Sequence, residues 1–226
     1  MKIVVIGAGL IGTSIALGAK RAGAEVQLFD EDGRAQNLAN DLVESVEIAD
    51  PTIVVIATPT SALVGAINRY KNLYPKSTFI DIGSTKTKVQ VEVQTDKELS
   101  ARFCPTHPMA GRELDGAEAA QSDLFVGKSW IITPLAETSG ESIALVKELI
   151  EKLGARVIAM SPEDHDAAVA SISHLPQIIS SLLAAQLEGK SPEFLALAGS
   201  GVMDTTRIAG SNPDLWREIL NLNRNA

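Results

Sequence analysis

Lys2-Ile3-Val4-Val5-Ile6-Gly7-Ala8-Gly9-Leu10-Ile11-Gly12 reads as a short apolar strand, a glycine-rich turn and the start of a helix. An alanine-rich stretch carries that helix to about Ala22, and Gly23 stops it. In the pattern GxGxxG each glycine has its own task. Gly7 permits the tight turn, Gly9 lets backbone approach a pyrophosphate, and Gly12 lets helix and strand pack closely. Leu10 and Ile11 open the helix, whose unpaired N–H groups and partial positive charge suit a phosphate. The acid expected about 20 residues further on is Asp30, placed to accept from a ribose 2′-hydroxyl and to repel a 2′-phosphate. The stretch therefore predicts a dinucleotide site that prefers NAD to NADP, with Arg34 near enough to temper the preference. The competing reading is a flavodoxin-like turn that holds no nucleotide.

Working outward, further strands are expected at residues 25–29, 53–57, 78–82, 129–133 and 156–159, with an extended piece at 102–104. Helices are expected at 35–42, 61–70, 86–99 and 141–153, and a weaker strand near 43–48. Strands alternating with helices predict an α/β fold, a doubly wound and mostly parallel sheet covered on both faces. The pattern changes at Ser161-Pro162-Glu163-Asp164, a serine cap, a proline in the first turn and acids beside the helix N-terminus. Only helices follow, broken at Gly189-Lys190-Ser191-Pro192 and Gly210-Ser211-Asn212-Pro213. The expected division is a nucleotide-binding domain at 1–158 and an all-α domain at 159–226.

Composition narrows the function classes. Lys+Arg 20 against Asp+Glu 28 gives a net charge of −8 over 226 residues, the wrong sign for a nucleic-acid phosphate backbone. The single cysteine, Cys104, has no partner for an internal disulfide, and 3 histidines leave little for a metal site. No uninterrupted apolar run approaches the roughly 18 residues that would span a bilayer. The expectation is a soluble cytoplasmic protein with no membrane, nucleic-acid or metal partner.

Ligands of α/β sheets gather at the carboxyl ends of strands, which directs attention to three segments besides the Thr58-Pro59 strand end. Asp81-Ile82-Gly83-Ser84-Thr85-Lys86 ends a strand in a glycine and two hydroxyls, and Ser84 reads either as a helix cap or as a ligand contact. Lys86 and Lys88 read as helix surface. In Thr106-His107-Pro108-Met109-Ala110-Gly111, Pro108 keeps His107 out of the α region and predicts a stiff loop. Ser173-His174-Leu175-Pro176 lies inside a helix that Pro176 is expected to kink.

Together these motifs resemble the prephenate/arogenate dehydrogenase family. GAGLIG, IATP, DIGSTK, HPMAG, DLFVGKSWIITP, LGARV with MSPEDHD, SHLP and GSGVMDTTRIAGSNPDLW occur in the family's order over nearly the whole chain. The resemblance implies oxidative decarboxylation of a cyclohexadienol, prephenate or arogenate, by hydride transfer to NAD. It implies that His107 accepts a hydrogen bond from the C4 hydroxyl and that Ser84 bonds that hydroxyl or steadies the imidazole. It further implies that Arg207 holds a substrate carboxylate, that His174 and Gln177 face the substrate, and that Glu113 lies at the pocket rim. Gly7, Gly9, Leu10, Ile11, Gly12, Asp30, Thr58 and Pro59 fall to the cofactor. Asp204 is expected near Arg207, as rim or partner. Nine residues at about 100° each turn His165 away from His174, so His165 reads as structural or solvent-facing. Relative to the family the helical domain looks truncated, and Leu215, Trp216, Ile219 and Leu220 leave an apolar stripe suited to a homodimer. Two alternatives stay open: an NAD-binding remnant without turnover, and another two-domain reductase of the β-hydroxyacid dehydrogenase type.

Overall fold

A computed structural model describes residues 1–110 and 116–226. The chain divides into two compact units, Met1–His165 and Asp166–Ala226.

The first unit is built on seven strands: β1 (Lys2–Ile6), β2 (Glu25–Phe29), β3 (Ile53–Ile56), β4 (Thr78–Asp81), β5 (Phe103–Pro108), β6 (Ser129–Ile132) and β7 (Arg156–Ala159). They lie in the order β2-β1-β3-β4-β5-β6-β7, with every neighbouring pair parallel except β5 and β6. β3 is the unbroken run Ile53-Val54-Val55-Ile56 and β1 is apolar after Lys2, as strands buried on both faces require. One face is covered by α1 (Leu10–Arg21), α2 (Gly33–Val43) and α6 (Gly140–Lys152), through Ile15, Ala19, Val43, Val146 and Leu149. The other carries α3 (Thr60–Tyr70), α4 (Thr87–Val93) and α5 (Lys97–Ala101), through Leu63, Ile67, Val89, Val93 and Leu99. This is the doubly wound sheet the alternation predicts, and the first unit ends at His165, within α7 (Pro162–Val169).

Local departures have local causes. The helix expected over 86–99 is two helices, because the Asp96 carboxylate caps the second by accepting from Leu99 N at 3.1 Å. The strand expected near 43–48 is absent. Glu44 ends α2 at φ 47°, and Val46 then donates a single backbone bond to Val26 O at 3.0 Å.

Strand β5 changes partner along its length. Phe103, Cys104 and Pro105 pair with β4, whereas Thr106, His107 and Pro108 pair with β6. Pro105, which has no N–H to give, sits at the handover. Strands β6 and β7 are thereby displaced along β5, past the carboxyl ends of β3 and β4. Residues 159–165, which the sequence groups with the helical domain, pack in the first unit, since Ala159 pairs with Ile132 and α7 starts beside it.

In the second unit a π turn (Ala170–His174) runs into α8 (Leu175–Ala185), followed by α9 (Pro192–Leu195), α10 (Ser200–Thr206) and α11 (Pro213–Leu222). Pro176 cannot donate to the carbonyl four residues back, and the chain absorbs the lost bond as a wider turn just before it. Pro162–Ala185 is consequently one 24-residue helix, long and apolar enough to cross a membrane by length and composition alone. Ser173, His174 and Gln177 divide its apolar residues, so the helix holds no long uninterrupted apolar run. Ile172, Leu175, Ile179, Leu182, Leu197 and Met203 are all exposed on this unit.

Candidate active site

The turn after β1 has the shape its glycines demand. Gly7 sits at φ 110°, where a Cβ would collide with the Ala57 carbonyl at the end of β3. A Cβ on Gly12 would strike the Gly7 carbonyl, so α1 lies directly against the turn. Gly9 is different: a Cβ there would meet nothing within 4 Å. It opens α1 with extended backbone, no side-chain cap and no acid in the first turn, which leaves the helix N-terminus to an external anion. The Asp30 carboxylate accepts from Ala8 N at 2.7 Å and from Asp32 N at 2.8 Å, tying the strand end of β2 to the glycine turn. A carboxylate has further lone pairs to offer a ribose hydroxyl. The hydroxyls of Thr13 and Thr58 are buried beside this turn with no hydrogen-bond partner. Open backbone, an uncapped helix and unsatisfied hydroxyls fit a dinucleotide.

The neighbouring loop after β4 is filled from within. Asp81 and Lys86 form an ion pair with both side chains fully buried. Asp81 Oδ2 also accepts from Gly83 N at 2.9 Å, and Lys86 Nζ donates to the Thr106 carbonyl at 2.6 Å. Thr106 returns two bonds, from its N–H to Asp81 Oδ1 at 3.2 Å and from its hydroxyl to the Asp81 carbonyl at 2.6 Å. Lys86, expected on the helix surface, is therefore a core residue, while Lys88 is exposed as expected. Ser84 does not cap α4, because Lys86 holds the cap position. Ser84 is partly exposed at the carboxyl edge of the sheet.

His107 lies within β5, paired with Ile131, rather than on a loop. Pro108 is tolerated because it is the last residue of the strand. His107 Nδ1 lies 2.9 Å from His165 Nε2, with ring centroids 5.1 Å apart at 66°. Of the two readings of His165, structural or solvent-facing, full burial removes the second and leaves the first. Burial pushes the Cys104 thiol up to about 12, so it is protonated and unreactive at neutral pH.

In the second unit His174 is buried edge-on to Trp216, with ring centroids 6.0 Å apart. Its Nδ1 lies 3.3 Å from Asn223 Nδ2, which also donates to the Asp166 carbonyl at 2.8 Å. Gln177 is buried as well, donating to the Ile208 carbonyl at 2.9 Å and to Ser181 Oγ at 3.3 Å, so its amide ties α8 to the turn at 207–210. Arg207 and Asp204 are exposed. Glu113 lies outside the described residues.

Residues 6–159 match the nucleotide-binding domain of prephenate dehydrogenase, and residues 161–226 match its dimerization domain. The chain belongs to the prephenate dehydrogenase family. It is 33% identical to the prephenate dehydrogenase of Bacillus subtilis over 241 residues, which covers 96% of this chain and 63% of that protein. A cyclohexadienyl dehydrogenase of Zymomonas mobilis is 32% identical, covering 96% of this chain and 79% of the relative. Among solved structures, the prephenate dehydrogenase of A. aeolicus in complex with hydroxyphenyl propionate and NAD+ superposes with a TM-score of 0.89 at 29% identity. That match covers 99% of this chain and 83% of the other. The nucleotide-binding description of the first matched domain agrees with the open glycine cradle after β1.

Proposed function

We propose that this chain catalyses the NAD-dependent oxidative decarboxylation of a cyclohexadienol, prephenate to 4-hydroxyphenylpyruvate or arogenate to tyrosine, as a soluble cytoplasmic homodimer. The observation that carries the reading is an imidazole, His107, fixed on the same carboxyl edge of one sheet as the open cradle at Gly9. NAD, when bound in that cradle, supplies the hydride acceptor. The chain's own residues do the rest. Gly7, Gly9, Leu10, Ile11 and Gly12 hold the pyrophosphate, Asp30 holds the ribose, and Thr58 and Pro59 border the cofactor at the end of β3. His107 accepts the proton of the C4 hydroxyl as that carbon is oxidised, work suited to a neutral imidazole near pH 7. Ser84, on the next loop of the same edge, bonds the hydroxyl. Loss of the ring carboxylate as CO2 leaves a phenol, and aromatisation drives the reaction.

The roles that the family resemblance gives to Arg207 (a substrate carboxylate), His174 and Gln177 (the substrate) and Glu113 (the rim) are proposals of their own. For Gln177 the amide donors are already engaged, so the geometry favours a structural role. The Zymomonas relative's name, which covers both cyclohexadienols, supports testing both substrates.

The deciding experiment follows NADH at 340 nm (a property of the cofactor) with prephenate and arogenate in turn, each with NAD and with NADP. His107→Asn is expected to lower kcat by about 10²–10⁴ with KM largely kept. Turnover that survives this substitution would refute the role of His107.

A further inference from the structure

We propose that Asp32 is a specificity-determining residue of the cofactor site, which closes the N-terminus of α2 to a 2′-phosphate and so excludes NADP. The proposal rests on the reading of the glycine turn as an NAD cradle with Asp30 on the ribose. It adds a second barrier to NADP, two residues beyond the first.

The loop from β2 to α2 carries three acids in a row, and each is engaged differently. The Asp30 carboxylate accepts from Ala8 N at Oδ2 and from Asp32 N at Oδ1, while its own backbone N–H donates to Gln36 Oε1 at 2.9 Å. Asp30 is thus held from the glycine turn on one side and from α2 on the other. The Glu31 carboxylate lies 3.8 Å from the Arg69 guanidinium on α3. Asp32 takes the cap position of α2. Its Oδ1 accepts from Arg34 N at 2.8 Å, and its carbonyl accepts the first helix bond, from Gln36 N at 2.9 Å. Among the described residues no cation pairs with the Asp32 side chain.

Two helices therefore begin at this edge of the sheet with opposite endings. The start of α1 has no side-chain cap, whereas the start of α2 is covered by its own carboxylate. A bare helix N-terminus welcomes a phosphate, because its N–H groups and partial positive charge are unspent. At α2 one of those N–H groups is spent on Asp32, and an approaching anion meets a like charge. The 2′-phosphate of NADP sits on the oxygen that Asp30 holds in NAD, so it enters beside the groups bonded to that carboxylate. The Asp32 N–H is one of them. Removing Asp30 alone leaves the second charge standing. Arg34, the cation suited to a 2′-phosphate, stands exposed in the same turn and makes no ion pair among the described residues. Asp32 is the group that offsets it.

Calorimetric titration of the chain with NAD and with NADP tests this without turnover. Serine and asparagine cap helices about as well as aspartate. Asp32→Ser and Asp32→Asn therefore remove the charge and keep an acceptor for Arg34 N. Each is expected to raise the ratio of NADP to NAD affinity about tenfold, by tightening NADP. The gain should shrink as salt is added, since the groups involved are exposed. Asp30→Ser is expected to move the ratio chiefly by weakening NAD, and adding Asp32→Ser to it should bring NADP level with NAD or above. A purely structural cap would weaken both nucleotides together and leave the ratio unmoved. That unmoved ratio in the Asp32 variants would overturn the proposal, while NAD binding would keep the cradle reading intact. A wild-type chain that binds NADP as tightly as NAD would overturn it too, whatever the variants do. If the wild type binds no NAD, the cradle reading fails and the role of Asp32 falls with it.

Discussion

Two loops at the carboxyl edge of the same sheet solve opposite problems. The turn after β1 opens a helix with no side-chain cap and leaves empty space over Gly9. The loop after β4 closes on itself, with the Asp81 carboxylate taking both the Gly83 N–H and the Lys86 ammonium. The first is a receptor that waits for an anion from outside, and the second carries its own anion and is thereby rigid. Binding sites need the first kind of loop, and the platform that aims a catalytic group needs the second.

The contrast can be broken most forcefully at Lys86. Lys86→Met strands the buried Asp81 charge and is expected to cost about 3–5 kcal/mol. A shift in Tm on the order of 10 °C would register it. Pairing it with Asp81→Asn should return part of the loss, because no lone charge then remains buried. The glycine turn should split into two behaviours. Gly12→Ala forces a methyl against the Gly7 carbonyl and is expected to cost about 1–3 kcal/mol in urea unfolding, with NAD binding lost alongside. Gly9→Ala has room in the free protein, so its Tm should not move, while calorimetry should show NAD bound about tenfold more weakly. An equal loss of stability in both variants would mean that the cradle is structural rather than a receptor. The smallest effect belongs to a pair remote from both loops. The Lys71 ammonium, 2.9 Å away, holds the Asp96 carboxyl below the ordinary carboxylate range. A depressed carboxyl stabilises the fold above its unfolded pKa, and that contribution fades as pH falls through the folded value. Unfolding titrations below about pH 4 should therefore be slightly flatter for Asp96→Asn.

What could be read in advance followed from periodicity and spacing. β1 and β3 are runs of Ile and Val, and Gly7, Gly9, Gly12 and Asp30 stand at the spacing of a strand–turn–helix unit. What could not be read depended on long-range partners. Lys86 looks like any helix-surface lysine until β5 brings the Thr106 carbonyl over it. His165 stands 58 residues from His107, and no local spacing shows that α7 and β5 bring the two rings together. The 24-residue helix escaped for another reason, since a run of apolar letters is a stricter test than the mean over a helix.

The handover of β5 from β4 to β6 also constrains how this protein can vary. Side chains alternate along a strand, so His107 shares its face with Phe103 and Pro105 and opposes Cys104 and Thr106. One residue added or lost between Pro105 and His107 would turn the imidazole to the other face, away from His165, while the sheet stayed intact. Two would restore the facing and merely move the ring along the strand. The position of the imidazole is thus encoded as a parity, and a descendant of this chain can change the length of β5 only in even steps if it is to keep its pair of rings.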